Sequence, residues 1–195
     1  MLIVRELSLG PKRFGELEER LPGLGTNLLS ARLKTLEKTG VVRRAVLPAP
    51  ARVPVYELGE RGRRLEPILD ELALWGYELL RPEPGERHAR ASWIALSMRA
   101  AGRGEPRDIA DGVLVATVAG EQLVLTTRRG HLDVRHGVAE LEPDVKISTD
   151  LPTFFALVSG GLTASAARRE RRAEIEGDTR YLSAVLRAYA LPSRG

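Results

Sequence analysis

The stretch GPKRFGELEERLPGLGTNLLSARLKTLEKTGVVRR, residues 10–44, decides the fold of the first part of this chain. Phe14, Leu17 and Leu21 have the i, i+3, i+7 spacing of one face of a short amphipathic helix. The Pro-Gly pair that follows ends this helix and begins a turn. The stretch therefore opens with a helix and a turn.

A second amphipathic helix follows the turn. Leu33 and Leu36 form its apolar stripe together with Leu28 or Leu29, and the spacing alone leaves that choice open. Gly40 is a C-terminal stop signal for this helix. Two helices joined by a short glycine-containing turn form the helix-turn-helix pattern, in which the second helix enters the major groove of DNA.

The segment after the second helix predicts a wing and a further helix. Two β-branched runs, residues 41–47 and 53–58, predict a hairpin whose tip contains prolines and Arg52. Residues 60–80 then predict one long helix, because their apolar side chains recur broadly at helical spacing. Pro67 lies within this segment, so we expect a kink or a later helix start there.

Basic residues are concentrated in the segment that would meet DNA. The chain has 195 residues and a formal net charge of +4. Residues 12–52 contain 9 basic and 4 acidic side chains, a balance of +5, so the rest of the chain sums to about −1. The excess positive charge therefore lies where a polyanion would be bound.

The start of the second helix and the hairpin supply the candidate DNA contacts. Thr26 is either a base contact or the cap of the helix, and plain solvent exposure is the alternative for each arginine. Asn27 and Arg32 suit base edges or phosphates, whereas Lys34 and Lys38 suit the DNA backbone. The candidate DNA-binding residues are Thr26, Asn27, Ser30, Arg32, Lys34, Arg43, Arg44 and Arg52.

Residues 10–44, together with VPVYELGERGRRLEPILDELALWG at residues 53–76, resemble the HxlR-type winged helix-turn-helix transcriptional regulators. The resemblance rests on the motifs G-P-x-R-F-G-E-L, R-L-x-x-L-E-x-x-G and Y-x-L-x-x-x-G. It implies a winged-helix domain over residues 1–81 that binds double-stranded DNA, with residues 26–32 on the recognition helix and Arg52 in the wing. It also implies a homodimer that binds a pseudopalindromic operator, because a symmetric dimer reads inverted half-sites.

The chain departs from this family at two points. Family members usually have a helix before the LIVREL stretch, and here Met1 stands at the edge of that stretch, so we expect the start to be truncated or misassigned. Gly59 stands where the family usually has Thr, which is a small change because glycine is a fair helix cap. Since the missing helix normally contributes to dimerisation, we expect the dimer to depend on the long helix. The candidate interface residues are Leu72, Trp75, Tyr77 and Leu80.

The second half of the chain predicts a separate domain. Residues 82–90 are proline-rich and charged and predict a linker. Residues 91–195 contain a helical segment, then four short alternating runs punctuated by Gly and Asp, then helical segments around one brief strand. This pattern favours an α+β domain with a mainly antiparallel sheet.

Three segments, residues 110–137, 144–167 and 172–191, resemble a sterol-carrier-protein-like domain. The marks are the I-S-T-D strand end, the F-F-A-L-V-S-G-G helix and the I-E-G-D turn. The resemblance implies a sheet and helices around an apolar tunnel, and hence a small hydrophobic ligand as a candidate partner. Simple core packing is the alternative for the side chains that would line it. These candidates are Phe154, Phe155, Leu157, Val158, Leu162, Leu182, Val185 and Leu186.

Catalytic chemistry has little support in this sequence. The chain has no cysteine, which excludes thiolate catalysis, disulfides and most structural zinc sites. Its three histidines are His88, His131 and His136, and the last two would point to opposite faces of a shared strand. We therefore expect no enzymatic activity, no metal and no cofactor. No export signal or apolar run of membrane-spanning length is visible, so we expect a cytoplasmic protein without a membrane partner.

Two functions from different classes remain open. The first is a DNA-binding transcriptional regulator whose second domain senses a small apolar ligand or stabilises the assembly. The alternative is a lipid-binding or carrier protein whose winged helix is a protein-interaction module. Loss of DNA affinity on removal of the basic residues would favour the first, because only a regulator depends on those charges.

Overall fold

The computed structural model describes residues 1–49, 51–79 and 90–191, and it divides into two compact units, Met1–Leu69 and Asp70–Gly195. This division falls earlier in the chain than the predicted boundary after residue 81. Except for Arg90, the predicted linker at residues 82–90 lies outside the described residues.

The first unit is built from helices and one hairpin. Its strands pair antiparallel, from Val42 opposite Leu58 to Val46 opposite Pro54, and Tyr56 also bridges to Lys12. Its elements are α1 (Leu2–Leu7), α2 (Phe14–Arg20), α3 (Thr26–Lys38), β1 (Val42–Val46), β2 (Pro54–Leu58), α4 (Glu60–Arg63) and the first turn of α5 (Glu66–Tyr77). Helix-turn-helix and wing are therefore present in the predicted order.

The core of the first unit uses the apolar side chains that the periodicity predicts. Leu17 of α2 and Leu29 of α3 are fully buried and Leu33 is 1% exposed, whereas Leu28 is 45% exposed. The structure thus settles the choice between the two adjacent leucines in favour of Leu29. Gly40 has a φ of 72°, the left-handed conformation that ends a helix at low cost for glycine.

The single long helix predicted over residues 60–80 is wrong, because the structure has two helices there. Helix α4 ends at Arg63 and α5 begins at Glu66, with Pro67 in its first turn. Proline has no backbone N–H and its ring clashes with the carbonyl four residues earlier, so a helix cannot run smoothly through it. The first turn tolerates proline, which confirms the later start. Helix α5 ends at Tyr77, and Leu80 lies outside the described residues.

The second unit is a five-stranded sheet with helices. Its sheet has the order β5-β4-β3-β6-β7, and every neighbouring pair is antiparallel except β3 with β6. The α+β class and the mainly antiparallel sheet are confirmed. The elements are α6 (Ala91–Ala101), β3 (Gly112–Val118), β4 (Glu121–Arg128), β5 (His131–His136), β6 (Val145–Thr149), α7 (Leu151–Val158), α8 (Ala164–Arg169), β7 (Ala173–Gly177) and α9 (Thr179–Ala188).

One face of this sheet packs into the core of the second unit. Leu114 and Ala116 of β3 stand beside Val145 and Ile147 of β6, and all four are at most 2% exposed. They share a face because side chains alternate along a strand. Helices α6, α7 and α9 contribute further buried apolar side chains to the second unit.

Candidate nucleic-acid interface

Helix α3 presents polar side chains on the side opposite its buried leucines. Leu29 and Leu33 are in the core, while Asn27, Lys34 and Lys38 recur at i, i+7 and i+11 and are exposed. Arg32 is exposed as well. No ion pair joins these basic side chains to any other described residue. The outer face of α3 is therefore cationic and free to meet a ligand.

Thr26 does not cap α3, because Gly25 occupies the N-cap position and Thr26 is the first helical residue. Its hydroxyl Oγ1 instead donates a hydrogen bond to the Glu18 carboxylate of α2. The capping interpretation of Thr26 is therefore wrong. Ser30 is half-buried, so it is less accessible than Asn27 and Arg32, which are exposed.

Two of the predicted wing arginines have acidic partners within the first unit. The Arg43 guanidinium lies 2.5 Å from Glu57 of β2, and Arg44 Nε lies 2.8 Å from Glu37 of α3. The Arg44 guanidinium also stacks 5.4 Å from the centre of the Tyr56 ring. Both arginine side chains remain more than 60% exposed, so these ion pairs are weak and can be exchanged for contacts with phosphate.

Arg52 lies between the two strands of the wing and is exposed. Its φ of 41° places the backbone in the left-handed region, and its amide donates a 3.3 Å hydrogen bond to the Pro48 carbonyl. Arg52 is therefore an exposed cation in the segment that joins β1 and β2.

Helix α5 and the turn after it carry an exposed apolar stripe. Ile68, Leu72, Trp75 and Leu79 are 53%, 50%, 65% and 66% exposed. Their spacing of four, three and four residues places them on one side of the helix. Tyr77 does not belong to this stripe, contrary to expectation, because it is buried and its ring stacks on Phe155 of α7 at 5.2 Å.

The other side of α5 is tied to α6 by a buried charge cluster. Asp70 is 1% exposed, and its carboxylate accepts a 2.8 Å hydrogen bond from Arg99 and another from Arg103. Ser97 Oγ donates to the Ala73 carbonyl at 2.9 Å. A buried carboxylate is tolerated when it is paired in this way. The second half of α5 therefore belongs structurally to the second unit.

The apolar side chains proposed to bind a ligand pack within the second unit. Phe154, Leu157, Val158, Leu182, Val185 and Leu186 are between 0% and 9% exposed, while Phe155 and Leu162 are half-buried. These burial values are those of a close-packed core. Their role in ligand binding stays a prediction.

Of the three histidines, His136 pairs with a carboxylate, His131 is exposed and His88 lies outside the described residues. His136 Nε2 lies 2.8 Å from the Glu121 carboxylate, which also accepts a hydrogen bond from the Ser92 amide at 3.1 Å. His131 is exposed on β5, and His88 is outside the described residues. Across residues 1–49, 51–79 and 90–191, no three His, Cys, Asp or Glu side chains cluster in a way that could hold a metal. In the same ranges, no helix is long and apolar enough to cross a membrane.

The first unit matches known regulators in sequence. Residues 1–84 match a family model described as HxlR-like helix-turn-helix. An 82-residue segment is 46% identical to the uncharacterized HTH-type transcriptional regulator YvaP of Bacillus subtilis, over 42% of this chain and 75% of that protein. The chain belongs to the HxlR-like helix-turn-helix family. A second relative is the HTH-type transcriptional regulator YodB of Bacillus subtilis, 38% identical over 85 residues, which cover 44% of this chain and 74% of that protein.

The second unit matches a different family. Residues 97–187 match the family model described as SCP-2 sterol transfer family. The solution structure of palmitated SCP2L2 from Aedes aegypti is 21% identical and covers 52% of this chain and 96% of that one, with a TM-score of 0.41. Both resemblances found in the sequence are therefore confirmed: an HxlR-like domain comes first and an SCP-2 domain follows.

Sequence reasoning missed one surface residue of the HxlR-like domain. Leu28 lies on α3 and is 45% exposed, next to the polar face that carries Asn27. The pair Leu28–Leu29 fits the apolar stripe in either register, so spacing alone could not show which leucine is outside. An exposed leucine on a recognition helix can contact the methyl group of thymine.

Proposed function

We propose that this HxlR-like protein is a transcriptional regulator that binds double-stranded DNA through α3 and the wing formed by β1 and β2. One observation carries the proposal: the outer face of α3 is exposed and basic, while Leu29 and Leu33 of its inner face are buried in the core. This is the arrangement by which a second helix of a helix-turn-helix enters the major groove. The relatives YvaP and YodB, both named HTH-type transcriptional regulators, support it.

The contacts divide into those that read bases and those that bind the backbone. Asn27 and Arg32 have side chains suited to paired hydrogen bonds with adenine and guanine edges. Lys34, together with Arg43, Arg44 and Arg52 of the wing, contacts phosphates, and Arg43 and Arg44 exchange their glutamate partners for phosphate oxygens. Thr26 and Ser30, the remaining candidates, are secondary contacts at the start of α3.

The regulator acts as a homodimer through the exposed stripe on α5. The spacing along this stripe is alternately four and three residues, which is the repeat by which two helices pack against each other in a coiled coil. Its members are Ile68, Leu72, Trp75 and Leu79. Exposed apolar side chains in a row mark an interface more often than an open surface. A symmetric dimer then presents two copies of α3 to a pseudopalindromic operator.

The SCP-2 domain senses a small apolar ligand in this proposal. The match to a sterol transfer family supports such a ligand. Tyr77 of α5 stacks on Phe155 of α7, so a ligand that displaces α7 would also move the end of α5, the helix that carries the exposed apolar stripe. The ligand regulates DNA binding only if it binds two arrangements of that helix with different affinity.

Selection of bound duplexes from a random pool with the full chain tests the proposal. The enriched site should be an inverted repeat. Arg32→Ala should then lose about 1 to 3 kcal/mol of discrimination between that site and unrelated DNA. Arg135→Ala, a matched control with an exposed arginine of β5, should retain it. Failure to enrich any sequence, with apolar ligands still bound, would leave the carrier alternative in place.

A further inference from the structure

The SCP-2 domain carries a basic groove that the apolar-ligand proposal does not use. Helices α8 and α9 flank an open cavity of about 680 Å³. Four arginines line it, Arg168 and Arg169 from α8 and Arg180 and Arg187 from α9, and all four are exposed. The lining includes no acidic side chain.

Helical spacing explains why these side chains meet. On α8, Ser165, Arg168 and Arg169 stand at i, i+3 and i+4 and share one face, while Ala164 and Ala167 are buried. On α9, Arg180 and Arg187 are seven residues apart and so lie on one side of the helix.

The two helices turn hydroxyl groups as well as guanidinium groups toward the groove. Thr179 and Ser183 of α9 belong to the lining, and Leu182 and Val185 of the same helix are buried in the core. The polar face of α9 is thus fixed by the packing of its apolar face. The orientation of the side chains that line the groove on α9 therefore follows from the packing of this helix on the core.

The arginines of the groove have few partners among the residues that the structure describes. Arg169 lies 3.8 Å from Glu170, a loose and exposed pair, and no ion pair joins Arg168, Arg180 or Arg187 to another described residue. Asp178 is occupied as the cap of α9, with its carboxylate accepting from the backbone amide of Arg180 at 2.8 Å. Like charges that converge without a counter-ion favour the binding of an anion.

We infer that this groove is a second DNA contact, which binds the phosphate backbone of duplex DNA flanking the operator. The inference rests on the proposed DNA-binding function. Arginine, serine and threonine are the side chains that contact phosphate oxygens in protein–DNA complexes. Arg180 and Arg187 are separated by about 10 Å along α9. Since one strand of DNA rises about 3.4 Å per phosphate, the groove spans two to three consecutive phosphates.

The composition of the groove argues against other occupants. Its lining contains no aromatic ring on which unpaired bases could stack, and alanine is the only apolar residue type in it, whereas small-molecule pockets are lined by large hydrophobic and aromatic side chains. Of the residues described between 151 and 191, no large apolar side chain is exposed to enter a bilayer. Duplex DNA is the polyanion that fits these features.

The test uses the full chain and two duplexes that contain the selected site, one short and one extended by about one helical turn on each side. The groove variant changes Arg168, Arg180 and Arg187 to Gln. The matched control changes three exposed arginines of the hairpin formed by β4 and β5, namely Arg128, Arg129 and Arg135, to Gln and so removes the same charge. Affinity is measured for both duplexes between 50 and 200 mM salt.

The homodimer has two grooves, so the long duplex adds about four to six phosphate contacts, each of which contributes about 0.9 to the log–log salt slope. Wild type and the control should therefore bind the long duplex with a slope steeper by about 3.6 to 5.4 than for the short one. Raising the salt fourfold should then weaken binding of the long duplex about 150 to 1,800-fold more than binding of the short one. The groove variant should lose this difference and keep its affinity for the short duplex.

Three results would overturn the inference. Equal slopes for both duplexes in wild type, or equal losses in the groove variant and the control, would exclude a flanking contact while DNA binding itself stands. A different result would assign the groove to another anion: wild type and the control bind inorganic phosphate or phosphatidylserine vesicles, the groove variant does not, and all three bind DNA equally. Absence of binding to either duplex by wild type would instead refute the proposed function.

Discussion

The substitution Asp70→Ala tests whether the buried charge cluster formed by Asp70, Arg99 and Arg103 stabilises the second unit. The Asp70 carboxylate accepts hydrogen bonds from Arg99 and Arg103, whose side chains are 9% and 44% exposed. Loss of the carboxylate therefore removes the anion that faces a buried guanidinium, whereas Arg103 can turn to water. Removal of one partner of a buried ion pair costs about 3 to 5 kcal/mol.

That cost is large for a protein whose total stability is on the order of 5 to 15 kcal/mol. For a chain of this size, each kcal/mol lowers the unfolding midpoint by about 2 to 4 °C, so we expect Asp70→Ala to lower it by about 6 to 20 °C. Tryptophan fluorescence of the full chain during heating measures this shift. The two tryptophans, Trp75 and Trp93, both lie in the second unit and so report on it.

Two further variants separate the ion pair from other effects of the substitution. Arg103→Gln removes the more exposed partner and should cost no more than about 1 kcal/mol. The double variant Asp70→Leu, Arg99→Met removes the carboxylate and the more buried guanidinium, and should recover most of the lost stability. An Asp70→Ala midpoint within about 2 °C of wild type would refute the reasoning, because the buried pair would then contribute little.

Three other variants test the proposed dimer and DNA contacts. The double variant Leu72→Lys, Trp75→Ala should be a monomer where wild type is a dimer, as measured by light scattering across a dilution series. The control Val138→Lys changes an exposed apolar residue outside the stripe and should leave the dimer intact. A wild type that is monomeric at tens of micromolar would contradict this prediction. Arg52→Ala should lower DNA affinity equally for all sequences and reduce the salt slope by about one unit, and an unchanged slope would exclude a phosphate contact. Leu28→Ala should relax the preference for thymine at one position of the selected site, as read by competition with single-base variants, and an unaltered preference at every position would remove Leu28 from base recognition.

Local patterns in the sequence were sufficient for most of the fold. The i, i+3, i+7 spacing around Leu17 and the stop at Gly40 predict α2 and α3, because a helix buries one face and glycine ends it cheaply. Alternation of apolar and polar residues along residues 112–136 predicts three strands of the sheet, because successive side chains of a strand point to opposite faces. The excess of basic residues over residues 12–52 indicates that the interface binds an anion, since the charge of a segment can be counted without knowing the fold.

Only the tertiary structure decided which of several suitable side chains face the solvent. Leu29 rather than Leu28 is buried, because the angle at which α3 packs selects between two leucines that fit the same stripe. Tyr77 is not part of the exposed stripe of α5, because its ring is stacked on the ring of Phe155, a residue far away in the sequence. The parallel pairing of β3 with β6 and the meeting of Arg168 with Arg187 likewise depend on residues distant in the chain. Periodicity specifies the face of an element, whereas the partner that covers this face is specified by contacts between distant segments.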